Sequence, residues 1–322
     1  MDRLERLADT PQRRLTALLT RAEVAGNQGR YADAVRLGEA AAEQARRLNE
    51  PEREVEALRC AAAAASFDGD SQRAVRLLRP ALPWVLQHGS PQQQQSFFND
   101  FACCLDYADL PTEAEPFHRR ALELALQQGR LNDASSVYGN LTACLRDGGS
   151  LRQAFDNLQQ ARRLTAGYDE AQGATWALDL MAFALLRDLA RYSDSLRASE
   201  VALHSMAQHP YALPVAHGHL ACLWIHLGQP ARALQALVAA RQLPGAPQRR
   251  ARFAQLQGRA QWSLGQGAKE SLATALADAP MTGRTVLQSM IALDHALVIE
   301  PDAALAASLQ VRQRCEIGRA HV

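Results

Sequence analysis

The sequence predicts an all-α protein made of about eight helix pairs that stack into a solenoid. Three observations support this prediction. They are a recurring turn and two sets of small residues, which we call columns, that stand at fixed distances before and after the turn. The turn is clearest at residues 29–35, 69–75 and 149–155, where an alanine follows a glycine by five positions. That alanine, or its substitute, stands at positions 34, 74, 114, 154, 195, 233, 270 and 304, so the copies are 34 to 41 residues apart. A fixed period of about 20–50 residues is typical of repeat proteins, in which each unit packs on its neighbours.

The two columns of small residues place the helices of each pair against one another. Twelve residues before the marker stand Ala22, Ala62, Ala102, Thr142, Phe183, Ala221, Gly258 and Ala292. Seven residues after it stand Ala41, Ala81, Ala121, Ala161, Ala202, Ala240, Ala277 and Val311. Small side chains let two helix axes approach to about 8–10 Å, so the columns predict the contact between the helices. Phe183 breaks the first column, which leaves the register of the fifth pair open by one residue.

Local signals place the individual helices and are strongest in the first pair. Pro11 suits the first position of a helix, and Thr10 suits its N-cap. Apolar residues recur every three or four positions over residues 15–25, which predicts a buried helical stripe. Pro51 and Pro91 are expected to open the second and third pairs in the same way.

These residues resemble the tetratricopeptide repeat (TPR) family. The matching positions are Gly29, Tyr31, Ala34 and Ala41 in the first pair, and Gly228, Ala233 and Ala240 in the sixth. The resemblance implies a right-handed superhelix whose first helices line a concave groove for a peptide or protein partner. Most intervals exceed the family's 34 residues. In this the chain resembles the extended repeats of bacterial signalling and transcription regulators.

Composition argues against nucleic-acid and membrane partners. The formal net charge of +1 gives no basic field for nucleic acid. The most apolar stretch, residues 176–189, is interrupted by Asp179 and Arg187 and is shorter than the roughly 20 apolar residues of a membrane span. With no signal sequence at the start, the predicted location is the cytoplasm. Lys269 is the only lysine, and this arginine- and alanine-rich composition is typical of a GC-rich bacterial genome.

The sequence predicts no enzyme active site, no metal and no cofactor. It contains neither a glycine-rich phosphate loop nor a G-x-S-x-G nucleophile elbow. None of the six cysteines is in a CxxC motif, and those inside the repeats are expected to pack as small apolar residues. Four histidines are grouped at His209, His217, His219 and His226, but none shows the i, i+4 spacing of a helical zinc pair.

The binding residues are predicted from their positions on the first helices. Groove positions lie three and two residues before the first column and four and five residues after it. They give Asn99, Asp106, Tyr107, Asn140, Arg146, Asp147, His219 and His226. An asparagine amide both donates and accepts, so Asn99 and Asn140 suit a peptide backbone of any sequence. The alternative is that both are ordinary exposed helix residues. The mixture of charges favours neither an acidic nor a basic ligand.

The two ends of the chain are expected to differ from the repeats. We place a lead-in at residues 1–10 and the repeat domain at residues 11–315. Residues 316–322 fit no helix and can be back-translated to the start of a common short-read sequencing adapter. The hypothesis is that this tail is not native; the alternative is a natural ragged terminus.

Three functional hypotheses follow from the sequence. The first is an interaction scaffold that forms the N-terminal regulatory region of a larger bacterial signalling protein. By resemblance, that protein would be a GGDEF diguanylate cyclase or a helix-turn-helix regulator. The second is a complete standalone TPR adaptor or assembly factor. The third, which the histidine spacing disfavours, is a metal-dependent enzyme.

Overall fold

The computed structural model describes residues 10–166, 175–207, 213–242, 249–282 and 285–299. These residues form sixteen α-helices and no β-strand. They belong to two compact units, unit 1 ending at Leu124 and unit 2 starting at Ala125. Within the described part of the chain, no helix has the length and apolar character needed to cross a bilayer.

Unit 1 contains three helix pairs. They are α1 (Pro11–Asn27) with α2 (Tyr31–Arg47), α3 (Pro51–Asp68) with α4 (Ser71–Leu78) and α5 (Leu82–His88), and α6 (Pro91–Tyr107) with α7 (Pro111–Gln127). The last three residues of α7 belong to unit 2. The predicted helix starts are confirmed, because Pro11, Pro51 and Pro91 each open a first helix. Thr10 is the N-cap of α1, and its hydroxyl accepts a hydrogen bond from the Arg13 N–H at 3.2 Å.

The second helix of the second pair is interrupted. A short 3-10 segment, Arg79–Ala81, separates α4 from α5. Pro80 lies in this segment and Pro83 in the first turn of α5. A proline inside a helix removes one backbone hydrogen bond and its ring crowds the preceding turn, so two prolines three residues apart explain the interruption.

Unit 2 continues the same pattern. Its helices are α8 (Leu131–Asp147) with α9 (Leu151–Thr165), α10 (Thr175–Asp188) with α11 (Tyr192–Ser205), α12 (Leu213–His226) with α13 (Pro230–Arg241), α14 (Arg250–Ser263) with α15 (Lys269–Asp278), and α16 (Thr285–Ile299). A 3-10 segment, Ala279–Thr282, follows α15. The described residues therefore contain seven helix pairs and the first helix of an eighth, in agreement with the prediction.

The small-residue columns are confirmed for the first six pairs. All six markers, from Ala34 to Ala233, and the six residues twelve positions before them are fully buried. The fifth pair keeps this spacing although Phe183 is large. The Ser195 hydroxyl donates a hydrogen bond to the Phe183 carbonyl oxygen at 3.0 Å, so this pair was in register.

The predicted register of the seventh pair is wrong. Glu270 and Ala277 are exposed, whereas Leu272 is fully buried. The turn before α15 has five residues instead of the usual three, which shifts the second helix by two positions. Leu272 takes the marker position and faces Gly258, where an added β-carbon would lie 2.6 Å from the leucine side chain. Gly258 thus provides the space that paired small residues provide elsewhere.

Several predictions fall on residues outside the described ranges. These are the lead-in at residues 1–9, the tail at residues 316–322, His209, and the eighth-pair positions Ala304 and Val311.

Candidate functional site

Within each unit, a first helix contacts the first helix of the next pair, and most first helices also contact their own second helix. In unit 2 this contact runs from α8 through α10, α12 and α14 to α16. Polar side chains on these five helices form what we call the unit 2 polar face. Its members are Arg146, Asp147, Arg187, Asp188, His219, Cys222, His226, Arg252, Gln255, Arg259 and Asp294. Successive repeats bring residues that are distant in the sequence onto one surface.

An arginine–aspartate pair is repeated at the ends of α8 and α10. The Arg146 guanidinium lies 2.7 Å from the Asp147 carboxylate, and Arg187 lies 2.6 Å from Asp188. Arg146 also reaches Asp188 across the two helices at 3.7 Å. The arginine side chains are only 16% and 10% exposed, so both charges are largely removed from water. Such charges are costly unless they are paired and hydrogen-bonded.

His219 on α12 is held as a neutral acceptor. Its Nδ1 lies 2.8 Å from a terminal nitrogen of Arg187. A guanidinium can only donate, so Nδ1 accepts and the ring proton is on Nε2. Burial lowers the pKa of His219 well below its usual value, and the charges of Arg187, Arg146, Arg252 and Arg249 lower it further. Both the hydrogen bond and the surrounding charge therefore favour neutral imidazole.

Cys222 packs in the apolar core, as the sequence predicts for the repeat cysteines, but its thiol also lies among polar and charged groups. Burial by itself raises the pKa of its thiol, but His226, Arg187 and Arg252 outweigh burial and lower the pKa to about 7. The Cys222 Sγ lies 3.7 Å from His226 Nδ1, which also donates to the Cys222 carbonyl oxygen at 2.7 Å. This hydrogen bonding to Cys222 raises the pKa of His226. The thiol is thus a buried group in a positive field.

A second group of polar contacts joins α14 to α16. Arg252 donates to the Gln255 side-chain oxygen at 2.5 Å, and the Gln255 amide donates to Asp294 at 2.6 Å. Gln255 is fully buried. Burial raises the pKa of Asp294, while Arg259, Gln255 and Arg252 act in the opposite direction. The polar face therefore reaches the last described helix.

Three predicted binding residues lie in unit 1 and differ in their surroundings. Asp106 on α6 is engaged inside the third pair, where its carboxylate lies 2.8 Å from Nε2 of the buried His118. Asn99 is half-buried, and Tyr107 is exposed at the end of α6. Position alone predicted three equivalent groove residues. The structure distinguishes Asp106 from the other two, because its carboxylate contacts His118 on the second helix of the same pair.

The structure brings four of the predicted residues together on the unit 2 polar face. They are Arg146, Asp147, His219 and His226; Asn140 is half-buried on α8. Arg187 and Asp188 were not predicted as binding residues, although they stand four and five residues after Phe183. Applying the position rule to the fifth pair would have found them. Arg252 lies outside the four positions, and no sequence signal identified it.

Comparisons with known proteins agree with this architecture. No family model matches the sequence, and no curated protein matches it. A TPR protein from Parabacteroides merdae aligns with a TM-score of 0.60 and 13% identity, over 89% of this chain and 99% of its own. A Rap protein solved with competence and sporulation factor aligns with a TM-score of 0.59 and 13% identity, over 88% and 78%. A signal-transduction ATPase of Pyrococcus horikoshii with a TPR sensor aligns at 0.53 and 14%, over 95% and 50%.

Proposed function

We propose, from the premise that this chain has the TPR fold, that it is an interaction scaffold that binds a protein or peptide on the unit 2 polar face. One observation carries the proposal. Consecutive first helices contribute charged and polar side chains to two groups of contacts, one that joins α8, α10 and α12 and one that joins α14 to α16. We expect the chain to act by binding and not by catalysis.

The energetic cost of these contacts supports a binding role. A helix interface that served packing alone would be stable with apolar residues, and replacing a buried ion pair by such residues is often neutral or stabilising. Perturbed groups that are collected in one place are typical of functional sites. The unit 2 polar face collects Arg187, His219, Cys222 and Arg252, of which the last three have shifted pKa values.

The likeness in fold supports a peptide or protein as the ligand class. The Rap protein was solved in complex with competence and sporulation factor, and the archaeal ATPase carries its TPR region as a sensor. We therefore propose that this chain is the cytoplasmic regulatory part of a larger bacterial signalling protein. The second candidate is a standalone adaptor. Genomic sequence after the Cys315 codon separates the two: a GGDEF or DNA-binding domain supports the first, and an early stop supports the second.

An affinity-capture experiment tests the binding role. The full chain, the Arg187→Gln variant and the Arg241→Gln variant are immobilised and exposed to lysate of the source organism. Arg241 is an exposed arginine on the second helix α13, so its replacement removes the same charge away from the polar face. A specific partner retained by the wild type and by Arg241→Gln, and lost by Arg187→Gln with an unchanged helical CD spectrum, supports the proposal. Equal retention by all three proteins contradicts it.

A further inference from the structure

A cavity of about 310 Å³ lies in unit 1 beside the interrupted second helix of the second pair. Its walls come from the last turn of α2, from α3, from the end of α4, from the 3-10 segment and from α5. Most of the lining side chains are apolar. They include Pro51, Val55, Leu58, Leu77, Pro80 and Trp84. Pockets for small ligands have volumes of about 300–1,000 Å³ and mostly apolar walls, so this cavity is at the lower end of that range.

The interruption of the second helix contributes one wall of the cavity. The second helices α2 and α7 each run for 17 residues, whereas α4 ends after 8. The 3-10 segment that follows α4 contributes Pro80 and Ala81, and α5 contributes Trp84. The other two pairs of unit 1 form without such a break, so the repeat architecture does not require it. The break and the wall that it builds are specific to this pair.

The charges around the cavity leave one arginine unbalanced. Arg46 and Glu54 both line the cavity and form an ion pair at 2.6 Å. Arg46 also pairs with Glu43, which pairs in turn with Arg47. These two arginines and two glutamates balance one another. Arg76 lines the same cavity and makes no ion pair within the described part of the chain, so the lining has a net positive charge of one.

The neighbouring arginines emphasise the difference. Arg73 pairs with Glu39 at 2.9 Å, and Arg79 pairs with Glu113 at 2.7 Å. Arg76 stands three residues from each of them, between two arginines that both have a carboxylate on another helix. Its guanidinium is thus an available donor at the wall of an apolar cavity.

Trp84 adds an aromatic surface to the cavity. The side chain is half-buried, and its ring lies 5.7 Å from that of His88, measured between centroids. Among the described residues, no acceptor takes the hydrogen of its indole N–H. Aromatic rings prefer stacked or edge-to-face contacts with other rings, which add to the effect of apolar burial. The cavity therefore offers a ring surface and donors without acceptors.

We propose that this cavity binds a small aromatic monocarboxylic acid, with its ring against Trp84 and its carboxylate on Arg76. Hydrogen bonds between guanidinium and carboxylate are among the stronger ones in proteins, and one carboxylate matches the one unbalanced cation. A water molecule in the liquid occupies about 30 Å³, so the volume has room for roughly ten groups of that size, enough for one ring with a short acid chain. The site lies in unit 1, so this inference goes beyond the proposed role of the unit 2 polar face and does not depend on it.

The test follows the tryptophan indole N–H signals of the ¹⁵N-labelled full chain by NMR during a titration with phenylacetate. The chain has four tryptophans, and the signal that disappears in Trp84→Phe belongs to Trp84. We expect phenylacetate to shift this signal with a dissociation constant of about 1 mM or lower. Phenylacetamide has the same shape without the charge and should bind about fivefold more weakly or worse, and acetate, which has no ring, should cause no shift at the same concentrations. The ligand changes leave the protein untouched, so they are independent of its stability.

Protein variants provide the reciprocal measurement. Arg76→Gln should weaken phenylacetate binding about fivefold, because the side chain is exposed and its charge is partly screened by solvent. Arg53→Gln is the matched control and should leave the affinity unchanged, since Arg53 is an exposed arginine of α3 that does not line the cavity.

Four results would overturn the inference. They are an unshifted Trp84 signal at about 10 mM phenylacetate, equal affinity for the acid and the amide, full affinity in Arg76→Gln, and equal weakening by Arg53→Gln. A peptide with a free C-terminal phenylalanine that binds the cavity about tenfold more tightly than phenylacetate would overturn the assignment to a small molecule. All of these results leave the proposed function of the unit 2 polar face intact, because its test uses variants of unit 2.

Discussion

The ionisation of Cys222 measures the electric field of the unit 2 polar face. Its thiol has a pKa of about 7, against an ordinary value of 9.0. At pH 7 about half of the Cys222 side chains are therefore thiolates, whereas about 1% would be ionised at the ordinary value. Replacing His226 by glutamine removes the ring that stabilises the thiolate. Because burial alone raises the pKa, we expect the midpoint in His226→Gln to move toward 9 or beyond.

The titration can be followed by thiolate absorbance near 240 nm between pH 5 and pH 10. Subtracting the curve of a Cys222→Ser variant isolates the signal of this thiol. Burial raises the pKa of Cys60, Cys103 and Cys104, so these groups stay protonated in the range that matters. His88→Gln is the matched control, because it removes an exposed histidine in unit 1.

The charge of Arg252 also contributes to the electric field at Cys222, and a separate variant can remove it. Arg252 lowers the pKa of Cys222 through its charge. Arg252→Gln should therefore raise the midpoint as well, by less than His226→Gln does, since no direct hydrogen bond to the thiol is lost. A wild-type midpoint near 9, or a midpoint unchanged in both variants, would refute the electrostatic description of this face.

Three further predictions concern stability and binding. Gly38→Ala should destabilise the chain by about 1–2 kcal/mol in urea unfolding, because its β-carbon would lie 2.8 Å from that of Ala61 and overpacking outweighs the gain in helix propensity. Gly139→Ala, at a helical position with nothing within 4 Å, should instead stabilise it by up to about 1 kcal/mol; the same sign for both would contradict this reasoning. The pKa of His219 is lower in the folded chain than its value of about 6.5 in the unfolded chain, so below pH 6.5 the unfolded chain takes up a proton first and the free energy of unfolding falls. The free energies of unfolding at pH 7 and pH 5 should therefore differ less in His219→Asn than in the wild type. Replacing Asn99 and Asn140 together by alanine should weaken ligand binding and leave the melting point nearly unchanged; a large loss of stability would show that they are structural.

The helix pairs were predictable because their contacts depend on residues at fixed local spacing. Ala34 and Ala22 need only small side chains at the right interval, and both are fully buried as the columns require. The register of the seventh pair was not predicted correctly because two extra turn residues shift α15 by two positions. Leu272 then stands where the other pairs have a small marker residue. Gly258 then supplied the missing space. The large Leu272 and the small Gly258 together keep the two helices in contact. The sequence, however, no longer shows two small residues at the usual spacing.

The unit 2 polar face was less predictable because it depends on contacts between side chains of different first helices, which position within one repeat does not show. Position identified Arg146 and His219, but only the structure shows that Arg187 donates to His219. Arg187 was overlooked because Phe183, which sets its position, did not look like a member of the small-residue column. Arg252 could not be found from position at all. Arg252 belongs to the polar face because it donates to Gln255 and because its charge lowers the pKa of Cys222, and only the structure shows these two relations.

His219 connects the charge of this face to its geometry. Its Nδ1 can accept from Arg187 only while the ring is neutral, so protonation would remove the acceptor and add a cation beside several arginines. The loss of the acceptor and the added positive charge would both weaken the contact between His219 and Arg187. At pH 7 the depressed pKa keeps the His219 ring neutral, so this ring contacts one side of the Arg187 guanidinium while Asp188 contacts the other. An arginine held from two sides is preorganised, and a ligand that meets it loses less side-chain entropy on binding.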